Sequence, residues 1–523
     1  MNIAAILHDQ AVRYGQRPAI LQRRRVITFE ELDRAASAAA EDLEAAGLRP
    51  GMRALVFVPL SIELYVTMIG LFRLRATAVF VDPSAGRDRL DACISRVRPD
   101  AFLAIPRAHL LRFSSPVVRA LSLKVIVGAR VPFLPAVGVR LAREAAPVVP
   151  CDSGTPAIVT FTSGSTGEPR AAVRTHGFLV AQHQALVESL GLSAGDIDLT
   201  TLPIFLLANL ASGVTSVIPD ADLRAPGSIS PAPVLAQVLA TGATRTVASP
   251  ALLLRLAGHP AGSRNLGTLR RIFTGGAPVF PAALDTITRS APAATVVAVY
   301  GSTEAEPIAQ IAHHAISNED RLLMRGGAGL LAGVPARSLS LRILPDRWSI
   351  PLGPWTHADL EREALPAGSI GEIVVSGEHV LPGYLDGRGD EETKIRVGGS
   401  VWHRTGDAGY LDVDGRLWLL GRCSARVQDG HGTLYPFAVE CAASDSEAVH
   451  RTAFVQHDDK RVLVVELSAG ADAERAMTDL RQRLGWARLD RVLVVPRIPV
   501  DLRHNAKIDY PALRQMLNAR PRS

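Results

Sequence analysis

Short apolar runs recur along this chain, and the segments between them have the spacing of helices. Residues 53–58, 78–81, 102–105, 124–127, 244–248, 271–273 and 296–299 are each short enough for a buried strand. Residues 62–74, 178–190 and 233–240 read as helices. Strand, helix, strand in succession constrains the fold strongly, because it argues a largely parallel sheet covered by helices. A further helix is expected from Phe29 to about residue 46. Thr28 stands at its N-cap, Glu31 at the capping-box position, and Gly47 follows its end. The run Arg23-Arg24-Arg25 reads as a hairpin turn. Residues 61–81 carry Glu63, Arg73 and Arg75, so this apolar stretch is expected to be a buried helix plus strand rather than a membrane span.

Near Ile343 the texture changes. Glycine-rich alternating segments (Gly371-Glu372-Ile373-Val374-Val375, Gly409-Tyr410-Leu411, Arg416-Leu417-Trp418-Leu419-Leu420) predict a twisted antiparallel subdomain. After Gly421-Arg422 the remaining segment is long enough for a separate small α+β domain. The expected division is therefore residues 1–422 and 423–523. Residues 135–150, apolar and proline-bearing, are expected to be a linker.

At 523 residues the chain exceeds one ordinary core. It is 47% hydrophobic and 21% charged, with 57 basic against 51 acidic residues and a net charge of +6. That excess is small and its arginines are scattered, so nucleic acid is not an expected partner. The four cysteines, Cys93, Cys151, Cys423 and Cys441, lie far apart without metal-ligand spacing, which fits a reducing, cytoplasmic setting. The N-terminus lacks a basic segment followed by an apolar core, so no secretory signal is expected.

The densest chemistry lies directly after the apolar residues 157–161. Thr162, Ser163, Gly164, Ser165, Thr166 and Gly167 place four hydroxyls and two glycines in succession, followed by Glu168, Pro169 and Arg170. Glycines let successive N–H groups turn toward one point, and hydroxyls add donors, as a phosphate chain requires. The spacing is not that of a Walker loop, since Pro169 stands where its second glycine would and no Lys-Ser/Thr pair follows. The flanks read strand and strand, placing the loop at a hairpin.

Residues 162–170 resemble the signature loop of the adenylate-forming superfamily of acyl- and aryl-CoA synthetases, peptide-synthetase adenylation domains and luciferase, with Arg170 for the usual lysine. Other segments with that likeness follow in order: Gly275-Gly276-Ala277-Pro278, Tyr300-Gly301-Ser302-Thr303-Glu304, Arg404-Thr405-Gly406-Asp407, Gly421-Arg422, and His504-Asn505-Ala506-Lys507-Ile508-Asp509. The resemblance implies an α/β fold. A large N-terminal domain of layered sheets with helices carries a distorted β-barrel subdomain, and a small mobile α+β domain follows. It implies ATP and Mg²⁺. The hydroxyl loop would hold phosphates and Gly275 to Pro278 would lie along the adenine. Tyr300 would stack on the purine, with Gly301 and Ser302 beside the nucleotide. Thr303 would donate to the α-phosphate and Glu304 would hold the metal. Asp407 would accept the ribose hydroxyls, with Leu419 and Arg422 as further nucleotide contacts. Lys507 would act on the reacting phosphate. Each role suits its residue type: a carboxylate accepts only, Mg²⁺ takes oxygen ligands, and lysine is a mobile point charge. The implied hinge, usually charged in relatives, is Ser424 here.

The implied reaction is attack of a carboxylate on the α-phosphate of ATP, releasing pyrophosphate. Pro203-Ile204-Phe205-Leu206-Leu207-Ala208-Asn209, with Leu206 where relatives often carry His, reads equally as an apolar acyl wall or as core. Residues 403–407, 415–418, 450–453 and 503–508 resemble the fatty-acyl-CoA-ligase-like branch that includes β-lactone synthetases. Three readings stand open: an enzyme that closes a β-lactone from its own acyl-adenylate, an acyl-CoA ligase or loader of an acyl-carrier protein, and a nucleotide-binding protein without catalysis.

Overall fold

The computed structural model describes residues 1–82, 86–163, 169–223, 226–501 and 507–519. The chain forms two compact units, one of residues 1–220 with 378–391 and the other of residues 221–377 with 392–523.

The first unit is built on a seven-stranded sheet. Its order is Ala136–Val137, Leu123–Val127, Ala101–Ala104, Arg53–Phe57, Thr77–Phe80, Pro156–Ser163 and Pro169–Thr175. Every neighbouring pair is parallel except the last, a hairpin with Thr162 opposite Arg170. The parallel strands read as continuous apolar runs because helices bury both faces. The helix Ile62–Arg73 is buried along nearly its whole length against Phe29–Ala45. That second helix starts with the expected capping box, Thr28 and Glu31 each satisfying the other's backbone N–H. Pro18–Gln22 and Arg25–Thr28 form the predicted hairpin, with Arg23 at φ 55° in its turn. Of residues 135–150, expected to be a linker, Ala136–Val137 instead form the edge strand of the seven-stranded sheet, and 138–150 contain no helix or strand.

In the second unit three parallel strands, Arg245–Ala248, Arg271–Gly275 and Thr295–Ser302, lead into antiparallel ones. These are, in order, Ala305–Ala312, Leu330–Pro335, Leu417–Arg422, Ser400–Leu411, Gly371–Ser376 and Ser340–Leu344. The strands after Ile343 are antiparallel as expected, but the change of sheet type comes earlier, at Ala305–Ala312. After Arg422 comes a separate three-stranded sheet, Val449–His457, Lys460–Leu467 and Arg491–Val495. Leu463 and Val465 enter one apolar cluster, and Val462 and Val464 another. Period-two alternation of side chains puts these clusters on opposite faces, under the helices Pro436–Ala443, Ala473–Arg483 and Tyr510–Asn518.

Candidate active site

The strand expected over 296–299 continues to Ser302, because Tyr300 pairs with Ala309 and Ser302 with Ala305 in the next strand. This extension places Tyr300 on rigid backbone. Thr303 and Glu304 form the turn that follows, where the Glu304 N–H donates to Ser302 Oγ at 3.2 Å. In the adjacent parallel strand Gly275 lies opposite Val299. The turn of Gly275, Gly276, Ala277 and Pro278 therefore begins beside Tyr300.

Four strand spacings separate the Tyr300 strand from the strand Ser400–Leu411 in sheet order. On a flat sheet that would be about 19 Å. Yet the Tyr300 hydroxyl donates to Asp407 Oδ2 at 2.7 Å. The antiparallel part must curl until the two strands face each other. Within the buried run of residues 402–409, Asp407 is the half-buried position. Gly406 precedes it at φ 69°, a conformation that favours glycine, and a Cβ there would meet Trp348 at 2.9 Å.

Asp407 and Arg422 are cross-strand partners, with Arg422 Nε 3.2 Å from Asp407 Oδ1. Arg422 also donates to the Thr405 carbonyl at 2.9 Å. The sequence motif contains Thr405 but gives it no role. Its hydroxyl accepts the Asp407 N–H at 3.1 Å and donates to the Ile373 carbonyl at 2.9 Å, which holds the carboxylate's backbone in place. Leu419 is buried three positions before Arg422 on the same strand.

The electrostatics follow from this arrangement. Burial, with Asp407 next, raises the Tyr300 phenol well above its usual value, so it stays a proton donor. Asp407 foremost stabilises the Arg422 cation. Lys507 keeps accessible surface, yet the protein around it displaces much of its water and lowers its pKa. Arg422 adds to that lowering, while Asp407, Asp501 and Glu304 oppose it. Two neighbouring cations that disfavour each other form a place where an anion is welcome.

A second pair escaped the sequence reading. Lys394 Nζ lies 3.2 Å from His403 Nδ1, and both are buried. Burial first, then Lys394, lowers His403 to about 3, with Glu304 acting the other way. The only sequence signal was His403 standing beside the motif of residues 404–407.

In the first unit Arg170 is buried, with its guanidinium 5.7 Å from the centre of the Tyr384 ring. Gly389 packs on it: a Cβ at Gly389 would lie 2.6 Å from Arg170 Nε. Thr162 lies opposite Arg170 and Ser163 ends its strand, so the two flanks are paired antiparallel strands. Gly164, Ser165, Thr166 and Gly167 lie outside the described residues, as do His504, Asn505 and Ala506. Leu206 is fully buried in the core with Leu207 and Leu210, so core packing accounts for it. Asn209 from the same helix donates to Asp198 at 2.7 Å and to Thr200 and Ser216 at 3.1 Å.

The AMP-binding enzyme family matches residues 7–385. The chain belongs to that family. It is therefore an AMP-forming ligase, and the family uses ATP to activate acids. An olefin beta-lactone synthetase of Stenotrophomonas maltophilia is 35% identical over 92% of this chain and 89% of its own length. A feruloyl-CoA synthase of Amycolatopsis is 26% identical over the same shares. The solved structure of ATP-bound MatB from Rhodopseudomonas palustris covers 99% of both chains at a TM-score of 0.80 and 20% identity, a likeness of fold. Among the described residues, no helix is long and apolar enough to cross a membrane.

Proposed function

We propose that this AMP-binding enzyme activates a fatty or β-hydroxy acid as its acyl-adenylate and, where the acid carries a β-hydroxyl, closes a β-lactone from it. The observation that carries the adenylation site is the meeting of Tyr300, Asp407, Arg422 and Lys507. A base plate, a diol acceptor and two cations are what an adenylate needs. The Tyr300 ring stacks on the purine, and Gly275 to Pro278 border it, with Gly301, Ser302 and Leu419 completing the nucleotide's walls. Asp407 accepts both ribose hydroxyl protons. The phosphate-holding role of Thr162 to Gly167 and Arg170 rests on the sequence likeness alone. Thr303 donates to the α-phosphate.

The substrate carboxylate oxygen bonds to the α-phosphorus while the bond to pyrophosphate breaks. Lys507 and Arg422 offset the charge that spreads over the phosphoryl oxygens. Mg²⁺, when bound, neutralises phosphate charge, and Glu304 is the residue that would hold it. Among the described residues no three acidic, His or Cys side chains form a metal cage. One carboxylate suits Mg²⁺, which keeps several waters and is held largely through substrate phosphates. In the second step the β-hydroxyl oxygen attacks the acyl carbon, its proton is released, and AMP leaves.

The lactone step rests on the 35% identical synthetase. The feruloyl-CoA synthase supports the second reading, in which CoA or an acyl-carrier thiol is the acceptor. The catalytically inert reading is disfavoured by the retention of Thr303, Glu304, Asp407 and Lys507. Residues 423–523 act as the lid that carries Lys507, with Ser424, on a single 3-10 turn, as its hinge. A cytoplasmic location is supported by the four cysteines, none of which forms a disulfide. ATP–pyrophosphate exchange over a panel of fatty, β-hydroxy and aromatic acids, with product masses taken with and without CoA, tests the proposal. A product lighter than a β-hydroxy acid by one water, formed with AMP and without CoA, is expected. Turnover only with CoA would select the second reading.

A further inference from the structure

Lys507 is tied to residues 499–501 by backbone pairing. Its carbonyl accepts the Asp501 N–H at 2.8 Å, Ile508 bridges to Val500, and the Asp509 N–H donates to the Pro499 carbonyl at 3.0 Å. The next residue, Tyr510, opens the last helix, whose N-cap is Asp509. Ile508 and Tyr510 both pack on the apolar cluster that holds Leu513 and Val464. The Tyr510 hydroxyl donates to Glu440 Oε1 at 3.0 Å. The same oxygen accepts the Phe454 N–H at 2.9 Å from the central sheet of this segment.

Glu440 is 2% exposed, on the helix Pro436–Ala443. A buried carboxylate is costly to keep unless it is hydrogen-bonded, and an apolar residue would pack there at lower expense. Its partners are a fixed strand amide and the phenol three residues after Lys507. Arg422, the cation beside Lys507, acts on that phenol electrostatically. We propose that Glu440, through Tyr510, is a positioning residue that sets where Lys507 stands for adenylation. Burial raises the Glu440 carboxyl to about 7 although its two hydrogen-bond donors act the other way.

The inference rests on Lys507 being the adenylating lysine, and a cycle in the full-length chain separates the two. ATP–pyrophosphate exchange is measured for wild type, Tyr510→Phe, Lys507→Ala and the double variant. Tyr510→Phe keeps the packed ring and removes the donor. It should lower kcat about tenfold, the loss of one buried hydrogen bond, with KM for ATP changed less than about twofold. In the Lys507→Ala background it should have no further effect. Glu440→Gln, which retains an acceptor oxygen, should keep most of the activity, and Glu440→Leu should match Tyr510→Phe. If Glu440→Leu does not fold, Tyr510→Phe decides alone. Equal losses in the wild-type and Lys507→Ala backgrounds would mean general loosening and overturn the proposal, as would an unchanged kcat in Tyr510→Phe. A Lys507→Ala enzyme with undiminished exchange would instead remove the role of the lysine, and the proposal with it.

Discussion

Asp407→Asn tests the nucleotide site where its geometry is most definite. The substitution keeps the shape and removes the charge. The Arg422 contact at 3.2 Å corresponds to a gross attraction of about 5 kcal/mol at an effective dielectric constant of 20. Arg422 is 50% exposed, so screening and side-chain entropy leave about 1 kcal/mol or less of that. The Tyr300 hydroxyl is the larger contributor, since its bond is 2.7 Å and its surroundings are desolvated. Turning its acceptor from charged to neutral should lower stability by about 1–2 kcal/mol, readable in a urea titration. On the nucleotide side, Asn can accept one ribose hydroxyl well but not two with full charge. Losing one charge-assisted bond, about 1.5–3 kcal/mol, should raise KM for ATP about 10- to 150-fold. The assay is pyrophosphate exchange at varied ATP, compared with 2′-deoxy-ATP, which already lacks one hydroxyl. For the deoxy nucleotide the variant's penalty should shrink. An unchanged KM for ATP, or an equal penalty for both nucleotides, would refute the ribose role.

Lys507→Ala should lower exchange by at least about 10²-fold, as loss of a preorganised transition-state charge does, while ATP affinity measured by calorimetry changes less than about threefold. Gly389→Ala puts a Cβ 2.6 Å from Arg170 Nε at a residue with φ 99°, so it should destabilise the chain by about 1–3 kcal/mol; a melting temperature equal to wild type would show that Arg170 does not pack there. His403 is held neutral by burial and by Lys394, so its folded pKa lies below its unfolded one. Stability from this group is full above the unfolded value of 6.5 and is lost as pH falls toward about 3. Between pH 7.5 and 5.5 wild type should lose about 1.4 kcal/mol more than His403→Gln in urea titrations, and parallel losses would contradict the assignment.

Several elements were legible because their causes are local. The capping box of Thr28 and Glu31, the helix Ile62–Arg73 and the apolar parallel strands follow from hydrogen-bond geometry and residue spacing within a few positions. The change to alternating strands near Ile343 announced an antiparallel sheet in the same way. Ordered motifs from residue 162 to residue 509 were enough to assign the family. Leu206 was ambiguous for a physical reason: an apolar helix lining a pocket and one filling a core have the same composition, and burial alone decided for core packing.

What the chain's order of residues determined by itself is the set of elements, their type and the chemistry available at each motif. Tertiary structure alone decided which of these side chains meet. Tyr300 and Asp407 are 107 residues apart and four strands apart, and only the curl of the sheet closes that gap. Whereas Lys394 meets His403 as its cross-strand partner in a hairpin, Glu440 meets Tyr510, 70 residues on, in the same non-local way. Such contacts depend on sheet curvature and on which face a helix buries, properties summed over many residues and written in no single segment.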